Sequence, residues 1–305
     1  MNLLEEVKIF LKDKGFVYSV QMRSGFDVIC VTTPDGHHER VILPLEIEAG
    51  SPEEAVRQSE MATDSILLTE TYDGMYPLVI TRDRWERQRE MMEKRLLAHL
   101  EVFFPIYARN CEVRKIDKAV AREFLERNHS YGHAACRYCY GLFFRRHTGH
   151  IARRMTGQDV RDGMEGTLVA VATFSNARTW IKGGRSIRSY EWTRYASLPD
   201  VRISGGMGRL MKAFIKEVGP DDIMSYADLE WSKGDVYRKL GFEPEGIKEP
   251  VMFALDDRWR RFPVKPGMTK ITESAEGRES AEGTGMRFFQ NFGSMKYRLK
   301  LTDYR

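Results

Sequence analysis

The chain predicts an α/β (α+β) protein of two domains, and three observations carry that expectation. Period-two strand patterns and 3.6-residue helical stripes follow one another through both halves of the sequence. A long, charged helical stretch that stops at Pro105 separates the halves. In the second half, a strand runs through a glycine cluster into an amphipathic helix and out into another strand. The expected divisions are a small α/β domain over 1–104, a second domain over 105–262, and a low-complexity linker with a C-terminal strand over 263–305.

Composition narrows the class further. The 305 residues are 42% hydrophobic and 30% charged, which suits a globular protein with one large or two modest cores. A net charge of +4 does not by itself demand a polyanionic partner. No apolar run approaches the length of a membrane span. The opening MNLLEEVKIFLKDKG is amphipathic, with acids ahead of its first lysine, unlike a secretory leader. Four cysteines in a chain this long make no disulfide framework. Together these features point to a cytoplasmic protein.

In the first half, Leu3, Leu4, Val7, Phe10 and Leu11 share a helical face. Strands are expected over Phe16–Gln21, Phe26–Thr32 and Arg40–Glu48, the last two joined by the turn Pro34-Asp35-Gly36. Ser51-Pro52-Glu53-Glu54 reads as an N-cap, a proline at N1 and acid in the first turn. Short strands are expected at Ser65–Thr69 and Pro77–Ile80, then one charged helix from Arg82 to Phe103.

The second half opens with Asp117 placed to cap a helix reaching Asn128, then a strand over Cys139–Arg145. Arg146–Glu165 is basic and glycine-rich and reads as an insertion between strands. Leu168–Ser175 is a strongly apolar strand, and Arg178–Arg188 is a second basic loop containing Trp180. Tyr190–Ala196 alternates as a half-buried strand does. Ser204-Gly205-Gly206-Met207-Gly208 then leads into an apolar stripe of Met207, Leu210, Met211, Phe214, Ile215 and Val218. Gly219-Pro220 ends that helix, Ile223–Ala227 is a strand, Ser232–Leu240 a helix closed by Gly241, and Val251–Leu255 a strand. Ile271–Gly285 is low in complexity and is expected to be mobile. Arg287–Leu301 is expected to pair back on the domain.

Strand, glycine turn and helix form a device for holding an anion. Backbone N–H groups are unpaired at a helix N-terminus, the helix dipole favours negative charge there, and glycine permits close approach. The same glycines could equally serve only a tight turn.

Two stretches add a resemblance. Tyr237-Arg-Lys-Leu-Gly241-Phe242 resembles the Tyr-x-Lys-x-Gly-Phe signature of the GNAT superfamily of acyl-CoA N-acyltransferases, and Ile203–Gly208 is similar to that superfamily's phosphate-cradling motif, (Gln/Arg)-x-x-Gly-x-(Gly/Ala), with Ile203 where Gln or Arg is usual and Arg202 beside it. Over Ile106–Leu255 the order of YARNCEVRKID, FLERNHSYG, YGLFF, LVAVATFS, YEWTRYAS, ISGGMGRLMKAFI and SYADLEWSKGDVYRKLGF resembles the GNAT-like domain of many phage and bacterial proteins, sometimes fused behind a nuclease-like domain. The resemblance implies a mixed, mostly antiparallel sheet flanked by helices and splayed beside the glycine turn. It implies acetyl-CoA or another acyl-CoA as cofactor, held by Ile203, Ser204, Gly205, Gly206, Met207, Gly208 and Arg209. It makes Tyr237 the candidate general acid for the leaving sulfur, where the alternative is a core aromatic.

Acyl transfer also needs a base for the attacking amine. Asp228 and Glu191, on the two strands flanking the cleft, are the candidates; Arg194 would bind an acceptor anion or pair with Glu191. The first domain faintly resembles the nuclease-like fold of the fused proteins, with Asp27, Glu46 and Glu48 on strands but no lysine in the Glu-x-Glu pattern, which points to a degenerate, non-cutting module. His129, His133, Cys136 and Cys139 invite zinc, but four ligands in eleven residues are cramped for a tetrahedral site, and core or loop roles are expected.

The basic segments raise a second function class. Arg145, Arg146, Arg153, Arg154, Arg178, Lys182, Arg185 and Arg188, with His147 and Trp180 among them, suit a nucleic-acid backbone and unstacked bases, with solvated loop charges as the alternative. A phage adenine-modifying enzyme of the Mu type also has a GNAT-like architecture. The expected function is acyl transfer to an amine acceptor; a DNA base-modifying enzyme on the same fold and a non-catalytic nucleic-acid-binding accessory protein are the alternatives.

Overall fold

The computed structural model describes residues 1–145, 166–264 and 286–304. The mixed α/β architecture is the one expected, with several mostly antiparallel sheets. The chain divides into two compact units: Met1–Glu101 with Tyr226–Asp235 and Glu245–Lys296, and Val102–Ser225 with Val236–Pro244 and Tyr297–Arg305. The sequence reading placed 226–235 and 245–262 with the second domain; in the structure they pack with the first. Packing partners decide this, and they are not adjacent in sequence.

The first unit begins with α1 (Leu3–Asp13), capped by the Asn2 side chain, which accepts from the Glu5 N–H. A hairpin joins β1 (Tyr18–Arg23) to β2 (Phe26–Thr32) through Ser24 and Gly25, both at positive φ as a two-residue primed turn requires. Next come β3 (Glu39–Leu45), α2 (Pro52–Asp73) and β4 (Leu78–Thr81). The sheet order is β1-β2-β3-β4, with β3 and β4 parallel across the α2 crossover. Strand alternation splits the core in two: Ile29, Val31, Ile42, Leu78 and Ile80 pack with α1, while Val28, Cys30, Val41, Leu43 and Val79 pack with α2.

Two local expectations are corrected here. Ser65–Thr69 is not a strand but the last third of α2, whose buried residues Ala55, Ser59, Ala62, Ile66 and Thr69 recur at helical spacing. The stripe is built of small and polar residues, so its period is weak in hydrophobicity. The single helix expected over 82–103 is two, α3 (Arg82–Arg87) and α4 (Arg89–His99), broken at Gln88, whose backbone leaves the helical region at φ −129°.

The second unit carries β5 (Phe104–Tyr107), β6 (Cys111–Lys115), α5 (Lys118–Asn128), β7 (Tyr138–Phe144), β8 (Leu168–Phe174), β9 (Arg178–Lys182), β10 (Arg185–Ser197), β11 (Val201–Ser204), α6 (Gly206–Val218), β12 (Asp222–Asp228), α7 (Asp235–Lys239) and β13 (Glu243–Lys248). They are followed by β14 (Met252–Leu255), β15 (Arg261–Pro263), β16 (Arg287–Gln290) and β17 (Ser294–Lys300). Strands β12, β13 and β17 change unit along their length. The large sheet runs β13-β17-β12-β10-β8-β7-β6, with β9 on β10; β5 and β11 form a parallel pair of their own. Arg178–Arg188, expected as a loop, is a hairpin turning at Gly183-Gly184. The expected helix at 232–240 is shorter, confined to α7. Arg287–Leu301 does pair back, as β16 on β14 and β17 on β12.

Helices cover the two faces of this sheet. Ala121, Phe124 and Leu125 of α5 meet Cys139, Val171 and Ala196. On the opposite face Phe214 of α6 stacks on Phe174 at 3.9 Å, with Tyr138, Tyr140 and Tyr190 edge-on around it. The insertion Arg146–Glu165 and the low-complexity stretch Ile271–Gly285 lie outside the described residues.

One buried charge network fixes the first unit. Arg261 reaches Asp83 and Glu230 at 2.6 Å each, and Arg84 meets Glu230 at 2.8 Å. Burial alone would push the Glu230 pKa up, but Arg261 and Arg84 more than offset it and hold the carboxyl well below its usual range. That sign means the network's stabilisation is present above the ordinary carboxylate pKa and is lost as pH falls below it. Arg261→Met leaves two buried carboxylates short of a partner and is expected to cost about 3–5 kcal/mol in denaturant unfolding.

Candidate functional site

In the second unit the parallel strands β10 and β12 stay paired for three residues only, Ser189↔Asp222, Tyr190↔Ile223 and Glu191↔Met224. At the next residues of β10 the register against β8 also shifts, between Trp192 and Arg194. A strand that bulges on one side and loses its neighbour on the other exposes main-chain polar groups, which must find other partners. Side chains supply them. Ser225 Oγ donates to the Trp192 carbonyl at 3.0 Å, Arg194 to the Thr193 carbonyl at 2.8 Å, and the Trp192 indole N–H to the Arg194 carbonyl at 3.1 Å.

Tyr237 completes this opening. Its hydroxyl lies 2.8 Å from Ser225 Oγ, and its ring packs among Trp192, Phe242 and Tyr297. Ser225 has one hydroxyl proton; when that goes to the Trp192 carbonyl, Tyr237 is the donor to Ser225. Burial raises the Tyr237 pKa, and the Ser225 bond offsets only part of the rise, so the phenol is protonated at neutral pH.

The other side-chain candidates are placed as follows. Glu191 and Arg194 both lie on β10. Arg194 donates from Nε to the Gly132 carbonyl at 3.1 Å and so ties the 129–137 loop to the strand; burial lowers its pKa, and the charge of Glu191 acts against that. Asp228 belongs to the first unit, where it accepts from the Glu230 N–H at 2.9 Å and its carbonyl accepts from Trp231 and Ser232. The structure therefore brings Tyr237, Glu191 and Arg194 into one unit and places Asp228 at the end of β12, in the other.

The glycine turn follows β11, whose Ile203 and Ser204 pair with Ile106 and Tyr107. Gly205 is at φ +78° and Gly206 begins α6, which has no side-chain cap and no acid in its first turn. Gly206 and Gly208 also have packing reasons. A Cβ on Gly206 would stand 2.9 Å from Ile203 Cγ2 and 3.2 Å from the Tyr195 hydroxyl, and one on Gly208 would stand 3.1 Å from Leu240. Ile203, the departure from the usual Gln or Arg, thus packs against Gly206. Ser204, Gly205 and Arg209 are exposed, with Met207 and Gly208 partly so. An uncapped, acid-free helix start beside an exposed arginine fits a phosphate group.

No family model matches the chain, and no curated protein matches it. Among solved structures it is similar to the crystal structure of Eis1 from Mycobacterium abscessus, at 15% identity over 48% of this chain and 33% of that one, with a TM-score of 0.32. A partial overlap of this size carries no functional information.

Other sequence candidates resolve differently. Cys136 and Cys139 lie 3.5 Å apart through their sulfurs, and burial, then the Cys136 contact, push the Cys139 thiol up to about 12. His129 Nδ1 accepts from the Tyr131 N–H. Among the described residues no three metal-binding side chains converge. In the first unit Glu46 accepts from the Leu3 N–H at the start of α1 and lies 4.0 Å from Arg82, the setting of a structural carboxylate. No helix of the described residues is long and apolar enough to cross a membrane. Arg178 and Arg185 lie on the β9–β10 hairpin; Arg145 pairs with Glu112. Arg153 and Arg154, with Arg146 and His147, lie outside the described residues.

Sequence reasoning missed Ser225 and Tyr297. Tyr297 sits in no motif, and Ser225, though it opens the SYADLEWSKGDVYRKLGF stretch, carries no signal of its own as a serine between apolar strand residues. Ser225→Ala strands the Trp192 carbonyl and is expected to cost about 1–3 kcal/mol in equilibrium unfolding. Gly206→Ala is expected to cost a similar amount without any ligand, about 1–3 kcal/mol, because the methyl overlaps Ile203.

Proposed function

We propose that the second unit transfers an acyl group from an acyl-CoA to an amine acceptor. The observation that carries this reading is the break in β10 at Trp192–Arg194, with the Tyr237 hydroxyl joined through Ser225 to its Trp192 carbonyl. The GNAT-like motifs at Ile203–Gly208 and Tyr237–Phe242 agree with it, since they fall at the two features such chemistry needs. The backbone N–H groups that open α6, with Arg209 beside them, would hold the pyrophosphate. The cofactor supplies an activated thioester, whose acyl carbon the amine attacks.

Each protein group then has a definable task. The β10 backbone beside the bulge orients the acyl carbonyl. Glu191 is the candidate to take the proton the amine loses. Tyr237 gives its phenolic proton to the departing sulfur, and the proton Glu191 takes from the amine balances that loss as the two groups return to their resting forms. Because burial raises its pKa, Tyr237 holds its proton across the neutral range, as an acid must; the same rise makes it a weak one.

A second reading has a specific observation in its favour. Ile203 contributes an apolar side chain to the turn where a polar or cationic one usually faces the phosphates, which suits an accessory protein that has lost catalysis.

Isothermal titration with acetyl-CoA, followed by turnover with a panel of amines, separates the two. Saturable binding in the micromolar range is expected, with Tyr237→Phe retaining affinity and losing about tenfold or more in kcat. No heat at millimolar acetyl-CoA would remove the acyl-transfer reading. The rate is also expected to show no loss of activity from Tyr237 ionisation below its ordinary pKa near 10.

A further inference from the structure

The β9–β10 hairpin carries an exposed strand in the second unit. All five residues of β9 are exposed, including Trp180 at 50% and Ile181 at 72%. From Arg178 to Arg188 the hairpin has four cations and no acid. The register sorts them: Arg178 faces Ser189, Trp180 faces Ile187, and Lys182 faces Arg185. Side chains opposite one another share a face, so Arg178, Trp180, Lys182 and Arg185 stand together, with successive positions along the strand about 7 Å apart.

The fourth cation differs. Arg188 is on the other face, where it donates to the Gly219 carbonyl at 2.5 Å and lies 3.7 Å from Asp221. Arg185 donates to the Asp303 carbonyl at 3.3 Å, and Lys182 sits over the Tyr304 ring. Among the described residues no carboxylate pairs with Arg178, Lys182 or Arg185. Lysines and arginines on an edge strand can simply discourage edge-to-edge pairing. That role does not account for a half-exposed indole set among them, since exposing Trp forfeits burial that a polar residue would not miss.

We propose that this face binds single-stranded nucleic acid, with Trp180 stacking on an unpaired base and Arg178, Lys182 and Arg185 meeting flanking phosphates. A flat aromatic bracketed by cations that no described carboxylate neutralises matches a chain that alternates π-faces with charges. Duplex hides its base faces and could use only the cations. An acidic peptide offers no repeated π-face, and a membrane surface would favour more aliphatic area than one isoleucine. The inference stands apart from acyl transfer: it concerns a different surface and is tested without acyl-CoA.

The test is fluorescence anisotropy of a labelled 15-residue oligothymidylate titrated with the full-length protein at several salt concentrations. Three phosphate contacts predict a slope of about −2 in log K against log salt. Trp180→Ala is expected to weaken binding about tenfold, Trp180→Phe to restore most of it, and Arg178→Glu to weaken binding and flatten the slope. Absence of binding at low salt overturns the proposal, as does a Trp180→Ala variant that binds like the wild type. Two wild-type controls decide the matter even if a variant misfolds. A duplex of equal length bound as tightly as the single strand would reduce the face to non-specific charge. Polyglutamate competing as well as the oligonucleotide would assign it to an acidic protein instead.

Discussion

A parallel strand pair that holds for three residues and then parts sets the terms for the second unit. β10 and β12 are neighbours over Ser189–Glu191 and Asp222–Met224 and not beyond. The main chain of β10 must then be satisfied by something other than a sheet neighbour, and the carbonyls of Trp192, Thr193 and Arg194 accept from Ser225, Arg194 and Trp192 in turn. Loss of a ladder is costly inside a protein, so a break whose three carbonyls are each satisfied by a side chain is a built feature and not a frayed edge. Tyr237 reports on the same design: its ring is held by aromatic neighbours on three sides, which fixes its hydroxyl at the Ser225 end of the opening.

The glycine turn shows how one residue type can serve two masters. Gly205 is required by its left-handed backbone, Gly206 by an Ile203 side chain that leaves no room for a methyl, and a methyl at Gly208 would make Leu240 give way. None of these reasons involves a ligand. What the fold produces as a by-product is an uncapped helix start, free of acids and next to Arg209, and it is that by-product which the acyl-transfer reading uses. Substituting these glycines therefore tests packing before it tests binding.

Much of this was legible in the chain. The strand–turn–helix–strand order around Gly205, the stripe on α6 and the hairpin at Phe26–Thr32 follow from periodicity and turn chemistry, because each is local. Non-local features were not legible. The stripe of Ala55, Ser59, Ala62, Ile66 and Thr69 is buried by its neighbours and not by its hydrophobicity, so Ser65–Thr69 looked like a strand. The basic segment at Arg178–Arg188 lacked an apolar alternation, because β9 is exposed on both faces, and so it read as a loop. Ser225 gains its meaning only from a carbonyl thirty-three residues away. Asp228 looked placed for catalysis by its position on a strand, whereas its backbone and carboxylate organise the turn that follows.

The central claim is that the β10 bulge and the start of α6 form one cofactor-binding surface. Backbone hydrogen exchange at Thr193–Tyr195 and at Gly206–Gly208, with and without saturating acetyl-CoA, tests it most directly. The account predicts that both segments slow together when the cofactor is added, while α5 and the β9–β10 hairpin keep their rates. Unchanged exchange at both segments, or slowing confined to some other part of the chain, would contradict it.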